Sequence, residues 1–203
     1  KLDNGALALI YDSAYMPTEW YDDIVGQVAI TDTNVQQIDH KLILTKGGDA
    51  VGTPTYQLAS AVDDWFMGID YIIRGTDHQS NTPKQLCIMA AIAQAYGHDM
   101  VMPSFAHVGL IMKDKKKLSK RDGAAGLLGY RDAGYDPHAV LNFMLRLGWS
   151  PRTDNRENSI IWPERAISMF FNEGNMRSVN AGFDQAKLDW FDRTYRKMKQ
   201  RAA

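Results

Sequence analysis

Residues 69–85 read IDYIIRGTDHQSNTPKQ, and this stretch decides the fold class of the chain. Its opening β-branched and aromatic run, residues 69–74, predicts a short buried strand. A polar loop follows. Thr82 and Gln85 then have the spacing of a helix-capping box, and Pro83 stands where proline is favoured in a first turn. The stretch therefore predicts a strand, a polar loop and the start of a helix.

The loop between that strand and that helix is a predicted ligand site. In open α/β sheets, ligands bind just outside the carboxyl ends of the strands, and helix N-termini favour anionic groups. Residues 75–82 therefore stand out before any family is considered. Their position does not identify the ligand.

The two halves of the chain have different periodicities. Residues 1–60 contain short apolar runs that predict strands and turns, whereas the second half predicts helices that begin at Asp136 and at Asp184. We therefore predict an α/β fold with one domain at residues 1–124 and a helical region at residues 125–203.

The charge of the chain is strongly uneven. Its formal net charge is −1 over 203 residues. Residues 113–121 nevertheless hold six basic residues and one acidic residue, and residues 187–201 hold six and two. Local basic patches attract phosphates whatever the total charge is. The two segments are candidate contacts for nucleic acid or polyphosphate, and a solvated basic face is the alternative.

The single cysteine, Cys87, excludes an internal disulfide and a cysteine-based zinc cluster, and its apolar neighbours predict a buried thiol. No apolar run approaches the roughly 18 residues that suggest a membrane span, and no signal peptide is visible. We therefore expect no membrane partner and a cytoplasmic location.

Residues 116–123, KKLSKRDG, are the strongest chemical signal in the sequence. Lysines flank a small hydroxyl residue, Ser119, and the glycine allows the loop to change shape, which suits polyphosphate binding. The glycine-rich phosphate loops are absent, because residues 123–129 fit neither spacing and follow no predicted strand. A surface basic run is the alternative interpretation of the segment.

Several segments together resemble the glutamyl form of the class I aminoacyl-tRNA synthetases, and they follow the order of that family along the chain. The matching segments are residues 54–59 (PTYQLA), 62–65 (VDDW), 73–78 (IRGTDH), 80–85 (SNTPKQ), 105–107 (FAH), 117–121 (KLSKR), 134–135 (GY), 141–142 (LN), 147–150 (LGWS) and 183–190 (FDQAKLDW). The resemblance implies the second half of a class I nucleotide-binding, Rossmann-like catalytic domain, followed by an all-helical region that contacts the tRNA stem.

The resemblance implies a glutamate pocket and a tRNA contact. Tyr56, Ser60 and Arg74 match positions that line the amino-acid pocket, where the arginine holds the side-chain carboxylate of glutamate. A planar guanidinium suits that role because it can donate two parallel hydrogen bonds. Otherwise Arg74 would be a surface ion-pair residue. Asp64 and His78 match positions near the tRNA 3′ end, and a plain loop histidine is the alternative for His78.

The resemblance also implies an ATP site, and with it ATP-dependent formation of glutamyl-adenylate and transfer of glutamate to tRNA. Its implied members are Asp77, Leu110, Ile111, Lys117, Ser119 and Lys120. Lys117 and Lys120 are the implied catalytic pair, which stabilises the charge that develops as the glutamate carboxylate displaces pyrophosphate. The implied cofactors and partners are ATP, Mg²⁺, L-glutamate and glutamate-accepting tRNA. No protein-built metal site is implied, and the parent protein is expected to be a monomer.

The match has departures and two rival interpretations. Thr76 stands where the family usually has an acidic residue, and Asp122 where histidine is common. The histidine-glycine signature that opens the family's nucleotide-binding fold and the anticodon-binding domain are both missing. We therefore expect a fragment of a glutamyl-tRNA synthetase that is inactive alone. The alternatives are a truncated paralogue that acts as a tRNA- or protein-binding module, and a relative that glutamylates a tRNA base.

Overall fold

The protein forms two compact units, residues 1–107 (unit 1) and residues 108–203 (unit 2). The structure, a computed structural model, describes residues 5–10, 17–31, 41–47, 52–118, 126–147, 160, 165, 168 and 177–202. The division falls earlier than the boundary predicted after residue 124, because Ile111 pairs with Ala181 within unit 2. The functional boundary after residue 124 stays a prediction.

The described residues of unit 1 form two sheets. Its smaller sheet is an antiparallel pair, β1 (Ala8–Ile10) with β4 (Lys41–Ile43). The strands of the larger sheet are, in order, β3 (Gly26–Ala29), β2 (Glu19–Asp22), β6 (Ser104–Val108) and β5 (Tyr71–Gly75). β2 runs antiparallel to β3 and parallel to β6. The strand predicted at residues 69–74 is confirmed as β5, which places Arg74 beside β6.

The described residues of unit 1 also form two α-helices and a 3-10 helix. They are α1 (Tyr56–Phe66), the 3-10 helix Thr76–Asn81 and α2 (Thr82–Tyr96). The predicted start and end of α2 are confirmed, with Pro83 in its first turn and Gly97 ending it at φ 67°. The predicted capping box is wrong, because the side chains of Thr82 and Gln85 accept hydrogen bonds from Arg74 instead. The start of α1 also lies inside the region that was predicted to contain strands and turns.

A two-residue hairpin opens unit 2. It joins β7 (Ile111–Lys113) to β8 (Lys116–Lys117) through Asp114 and Lys115, whose φ angles are 51° and 63°. Positive φ at both central residues gives the turn a twist that matches the flanking strands. β7 also pairs in parallel with β9 (Ala181–Gly182). The prediction that residues 125–203 are all helical is therefore wrong at β9. A strand forms there because its backbone pairs with the edge of β7.

Three helices of unit 2 are described, and two of them begin where the sequence predicts. They are α3 (Leu127–Asp132), α4 (Pro137–Leu145) and α5 (Gln185–Ala202). Asp136 caps α4 by accepting a bond from the His138 amide at 2.9 Å, and Asp184 accepts from the Lys187 amide of α5 at 3.1 Å. The side chains of α4 and α5 share one apolar core. Its buried members are Tyr130, Ala139, Val140, Phe143, Leu188, Phe191 and Tyr195.

The core of unit 1 lies between its larger sheet and its helices. Its buried members are Trp20, Leu42, Ala61, Leu86, Cys87, Ile88, Met89 and Phe105. The predicted burial of Cys87 is confirmed, and burial raises the pKa of its thiol to about 12. None of the described helices combines the length and apolar character that crossing a bilayer requires.

Candidate active site

Arg74, near the end of β5, is the centre of a polar site in unit 1. Its Nε donates to His107 Nε2 at 3.0 Å, its Nη1 to Gln85 Oε1 at 2.6 Å and its Nη2 to Thr82 Oγ1 at 2.7 Å. The guanidinium also lies over the Phe105 ring, 5.6 Å from its centroid. Gln85 and Thr82 come from the first turn of α2, so the corner between β5 and α2 builds the site.

The three acceptors that hold Arg74 are neutral, and Tyr56 and Asp64 interact with it electrostatically. No carboxylate in the described part of the chain forms an ion pair with it. Burial lowers the pKa of Arg74, although nearby Tyr56 and Asp64 oppose that shift. A guanidinium carries five N–H donors, so one N–H on each terminal nitrogen lies outside these three bonds. Such a cation is suited to bind an anion, and above all a planar carboxylate.

A buried pair stands behind Arg74. His107 Nδ1 lies 2.5 Å from Asp22 Oδ2, and neither side chain is exposed to solvent. Asp22 Oδ1 accepts bonds from the amides of Ile24 and Val25 at 2.9 and 3.0 Å. Arg74 can only donate, so His107 Nε2 must accept and the imidazole proton must lie on Nδ1.

The electrostatics of the pair favour a neutral imidazole next to an ionised carboxylate. Burial lowers the pKa of His107, and the nearby Arg74 cation lowers it further. Burial alone would raise the pKa of Asp22, but the bonds from His107, Ile24 and Val25 bring it below its ordinary value. His107 therefore stays neutral and presents a lone pair to Arg74.

The predicted pocket residues Tyr56 and Ser60 both lie on α1. The Tyr56 hydroxyl is 3.3 Å from His78 Nδ1, and it contributes to the electrostatic environment of Arg74. Ser60 Oγ accepts from Gln85 Nε2 at 3.1 Å, while Gln85 Oε1 accepts from Arg74. The structure thus brings the three predicted glutamate-binding residues, Tyr56, Ser60 and Arg74, into one hydrogen-bonded neighbourhood.

The predicted tRNA and ribose contacts lie at the edge of the same neighbourhood. His78 Nδ1 accepts from Asn81 Nδ2 at 3.1 Å, and His78 Nε2 is 3.7 Å from Asp77 Oδ2. Asp77 and His78 are both part of the 3-10 helix. Burial raises the pKa of Asp64, with the neighbouring Asp63 adding to the shift and Arg74 opposing it. Asp64 therefore interacts electrostatically with Arg74, and His78 reaches the same neighbourhood through the Tyr56 hydroxyl.

Two of the predicted ATP contacts, Leu110 and Ile111, are described in unit 2. The Leu110 amide donates to Asn180 Oδ1 at 2.8 Å, and its carbonyl accepts from the Ala181 amide at 2.9 Å. Ile111 begins β7, and its carbonyl accepts from the Leu118 amide. The backbone groups of Leu110 thus hold the segment that leads into β9. A purine base that binds there must share or displace these bonds.

The lysine segment is described only at its start. Lys117 lies exposed in β8. The predicted ATP ligands Ser119 and Lys120 lie outside the described residues. Among the described residues, no three histidine, cysteine or acidic side chains come together as a metal-binding group.

Sequence reasoning missed four members of the site, Asp22, Thr82, Gln85 and His107. Asp22 and His107 are 85 residues apart, so no local pattern joins them. The alternation of Phe105 and His107 along one strand face could have suggested that both side chains point toward Arg74. Two polar residues at the start of an otherwise apolar helix were a second available signal, and capping was the wrong interpretation of it.

The fold and this site define a class of protein. Residues 6–190 match the family described as tRNA synthetases class I (E and Q), catalytic domain. The chain therefore belongs to that family, and the class I catalytic fold predicted from the sequence is confirmed.

Within that family, the similar proteins are glutamate–tRNA ligases. The chain is 41% identical over 178 residues to glutamate–tRNA ligase 1 of Helicobacter hepaticus, an alignment that covers 87% of this chain and 34% of that protein. It is 36% identical over 197 residues to glutamate–tRNA ligase of Xylella fastidiosa, covering 96% of this chain and 38% of the relative. The chain thus spans little more than a third of the length of these relatives.

Solved structures show the same likeness. The crystal structure of glutamate-tRNA synthetase from Elizabethkingia anophelis matches with a TM-score of 0.65 and 30% identity, over 87% of this chain and 36% of that one. A glutamate tRNA ligase from Elizabethkingia meningosepticum, solved in complex with its amino acid, matches with a TM-score of 0.67 and 30% identity. That match covers 90% of this chain and 38% of the other.

Proposed function

We propose that this chain carries the amino-acid pocket of a glutamate–tRNA ligase. Such an enzyme joins the α-carboxylate of glutamate to the α-phosphorus of ATP, releases pyrophosphate, and then transfers the glutamyl group to tRNA. The observation that supports this proposal best is the guanidinium of Arg74, held by three neutral acceptors with no carboxylate partner among the described residues. The similarity to named glutamate–tRNA ligases agrees with it.

In this proposal, Arg74 binds the side-chain carboxylate of glutamate end-on through Nη1 and Nη2. Each terminal nitrogen keeps one N–H outside its bonds to Gln85 and Thr82, and two parallel N–H groups match the two oxygens of a carboxylate. Tyr56 supplies a hydroxyl at the exposed side of the pocket, and Ser60 bounds it on α1. Because a carboxamide is neutral, glutamine gains less from the cation than glutamate does.

In this proposal, ATP binds through the ATP-contacting positions that the family resemblance implies. Leu110 and Ile111 approach the adenine, Asp77 approaches the ribose, and the triphosphate lies on the lysine segment. Lys117, Ser119 and Lys120 contact the phosphates, and the two lysines stabilise the charge that builds on the departing pyrophosphate. Mg²⁺ arrives on the phosphates of ATP, because magnesium is usually held by substrate phosphates with one or two carboxylates.

The tRNA meets the chain at two places. Asp64 and His78 lie beside the glutamate pocket, where the 3′ end of the tRNA must receive the glutamyl group. Residues 125–203 contact the stem of the tRNA, and their basic helix α5 supplies positive charge toward phosphates. We propose a cytoplasmic, monomeric parent protein, as the family resemblance implies.

Glutamate binding by the 203-residue chain tests the pocket directly. Arg74→Lys keeps the charge but loses the planar two-point contact, so affinity for glutamate should fall by about 1–3 kcal/mol. Arg131→Lys is the matched control, because Arg131 makes an exposed ion pair with Asp132 in unit 2. Titration calorimetry with glutamate and with glutamine measures both variants. Equal affinities of the two variants for glutamate would remove Arg74 from the binding role.

A further inference from the structure

We propose that Asp22 and His107 are positioning residues, which fix the direction in which the Arg74 guanidinium meets a substrate carboxylate. The identity of that substrate, glutamate, rests on the proposed function. The positioning itself rests on contacts among three neighbouring strands, because Asp22 ends β2, His107 lies in β6 and Arg74 lies in β5. Their side chains form a row across one sheet.

The two oxygens of Asp22 have different principal partners, and the His107 amide lies within 3.5 Å of both. Oδ1 accepts from the amides of Ile24 and Val25, and Oδ2 faces Nδ1 of His107 at 2.5 Å. The His107 amide also points at this carboxylate, 3.3 Å from Oδ2. A carboxylate held in this way can only accept, so the imidazole keeps its proton on Nδ1.

This tautomer decides what Arg74 meets. With the proton on Nδ1, His107 Nε2 presents a lone pair to Arg74 Nε at 3.0 Å. The other tautomer would set two N–H groups against each other and leave Arg74 Nε without its acceptor. Both side chains of the Asp22–His107 pair are fully buried, so water cannot replace the lost bond.

Fixing Nε fixes the whole guanidinium, because the group is planar. Nη1 and Nη2 are then held by Gln85 and Thr82 on α2, and stacking over Phe105 sets the plane from a second side. An arginine clamped at three points loses little further freedom when it binds a ligand, which favours affinity. Asp22 and His107 thus act on the substrate through Arg74 and not by touching it.

Asp22→Asn tests the tautomer with a change of one atom. The amides of Ile24 and Val25 hold the oxygen of the new side chain at the Oδ1 position. Its NH₂ group must then face His107 Nδ1, which forces the imidazole proton onto Nε2. The same tautomer error follows from replacing an aspartate by asparagine behind a catalytic histidine in serine proteases. Asp70→Asn, which makes the same charge change at an exposed residue of unit 1, is the matched control.

Two measurements on the 203-residue chain determine the tautomer of His107 and the affinity for glutamate. The ¹⁵N shifts of the His107 ring should report a protonated Nδ1 in the native chain and in Asp70→Asn, and a protonated Nε2 in Asp22→Asn. Calorimetry should show glutamate binding about tenfold weaker in Asp22→Asn, and unchanged in Asp70→Asn. A native His107 with its proton on Nε2, or a folded Asp22→Asn that binds glutamate like the native chain, overturns the proposal.

A pair of His107 variants covers the case in which Asp22→Asn does not fold. The amide oxygen of His107→Gln can still accept from Arg74, whereas the thioether of His107→Met is a poor acceptor of similar length. Glutamate binding should be better preserved in His107→Gln than in His107→Met. Equal losses in two folded variants would mean that His107 fills space and positions nothing.

The positioning proposal and the proposed function can fail separately. If the native chain binds no glutamate, the pocket assignment fails, and the positioning is judged from the Arg74 Nε resonance alone. That resonance should shift in Asp22→Asn and stay in place in Asp70→Asn. If glutamate binds but the Arg74 Nε resonance is unchanged in Asp22→Asn, the positioning proposal is wrong and the proposed glutamate pocket is retained.

Discussion

The Gln85 amide joins Ser60 to Arg74, donating to Ser60 Oγ at 3.1 Å while its carbonyl oxygen accepts from Arg74. One neutral side chain of α2 thereby connects α1 to β5. Because Gln85 is buried, its neutrality matters: an acidic residue in its place would pair with Arg74 inside a low-dielectric site.

We expect Gln85→Glu to abolish most glutamate binding without unfolding the chain. The new carboxylate would occupy the place of Gln85 Oε1 and neutralise the Arg74 cation, so glutamate affinity should fall at least about tenfold. Gln94→Glu, on an exposed position of the same helix, is the matched control and should bind normally. Calorimetry measures affinity, and thermal unfolding measures stability. A Gln85→Glu chain that binds glutamate normally would show that the charge of Arg74 is not used.

The elements with local signals were predictable. Pro83 and Gly97 bracket α2 because each residue has a backbone preference that needs no partner. The same holds for the caps Asp136 and Asp184, which bond amides two or three residues away. Local chemistry fixed these boundaries.

The site was predictable only in part, for a physical reason. Arg74, Tyr56 and Ser60 could be assigned by resemblance, but the partners that hold Arg74 come from distant strands. Asp22 ends β2, which lies in the region predicted to contain strands and turns, but no local signal joins it to His107, 85 residues away. The residue type and spacing of Thr82 suit both a helix cap and a hydrogen-bond acceptor for Arg74. Only the position of Arg74 decides between these two roles.

Acid should destabilise unit 1 first through His107 and then through Asp22. The folded pKa of His107 is lowered by burial, so its contribution to stability is present above its ordinary value of 6.5 and is lost as pH falls below that value. Asp22 has a folded pKa below its ordinary 3.8, since the bonds to its carboxylate outweigh burial, so its contribution is lost only at lower pH.

Unfolding of unit 1, followed by its NMR signals between pH 7.5 and about pH 5, measures the His107 effect. His107→Gln should make the free energy of unfolding depend less on pH in this window, because the variant lacks the imidazole whose protonation destabilises the fold. His98→Gln removes an exposed histidine of the same unit and should leave the slope unchanged. The prediction is wrong if native and His107→Gln chains lose stability in parallel.

Variants of Lys120 and Lys115 distinguish a catalytic role of the lysine segment from an effect of its total charge. The test needs a protein that contains these residues and is as long as the relatives. In that protein, Lys120→Ala should slow adenylate formation with a smaller effect on ATP affinity. An interaction made mainly in the transition state lowers kcat and kcat/KM together. Lys115→Ala removes the same charge at the hairpin turn and serves as the control. Pyrophosphate exchange at saturating tRNA should differ at least about tenfold between them, and rates within about threefold would contradict a catalytic role.

The basic helix α5 offers a test of the proposed tRNA contact. Arg196 and Lys199 are already paired with Asp192 and Asp136 at 2.7 and 2.5 Å. Arg193 and Lys197 are exposed and lie four residues apart on one helical face, and Arg193 also interacts electrostatically with Asp189. If this face lies along tRNA phosphates, these two charges release counterions on binding.

We therefore expect the double variant Arg193→Gln, Lys197→Gln to bind tRNA more weakly and with less dependence on salt. Each lost phosphate contact should reduce the slope of log affinity against log salt by roughly 0.7 to 0.9, so the change for two contacts should be about 1.4 to 1.8. The control is Lys41→Gln, Lys46→Gln, which removes two exposed lysines of unit 1. Filter binding of the 203-residue chain at several salt concentrations measures both slopes. If the two double variants change the slope equally, the effect is one of total charge, and α5 has no specific contact with the tRNA.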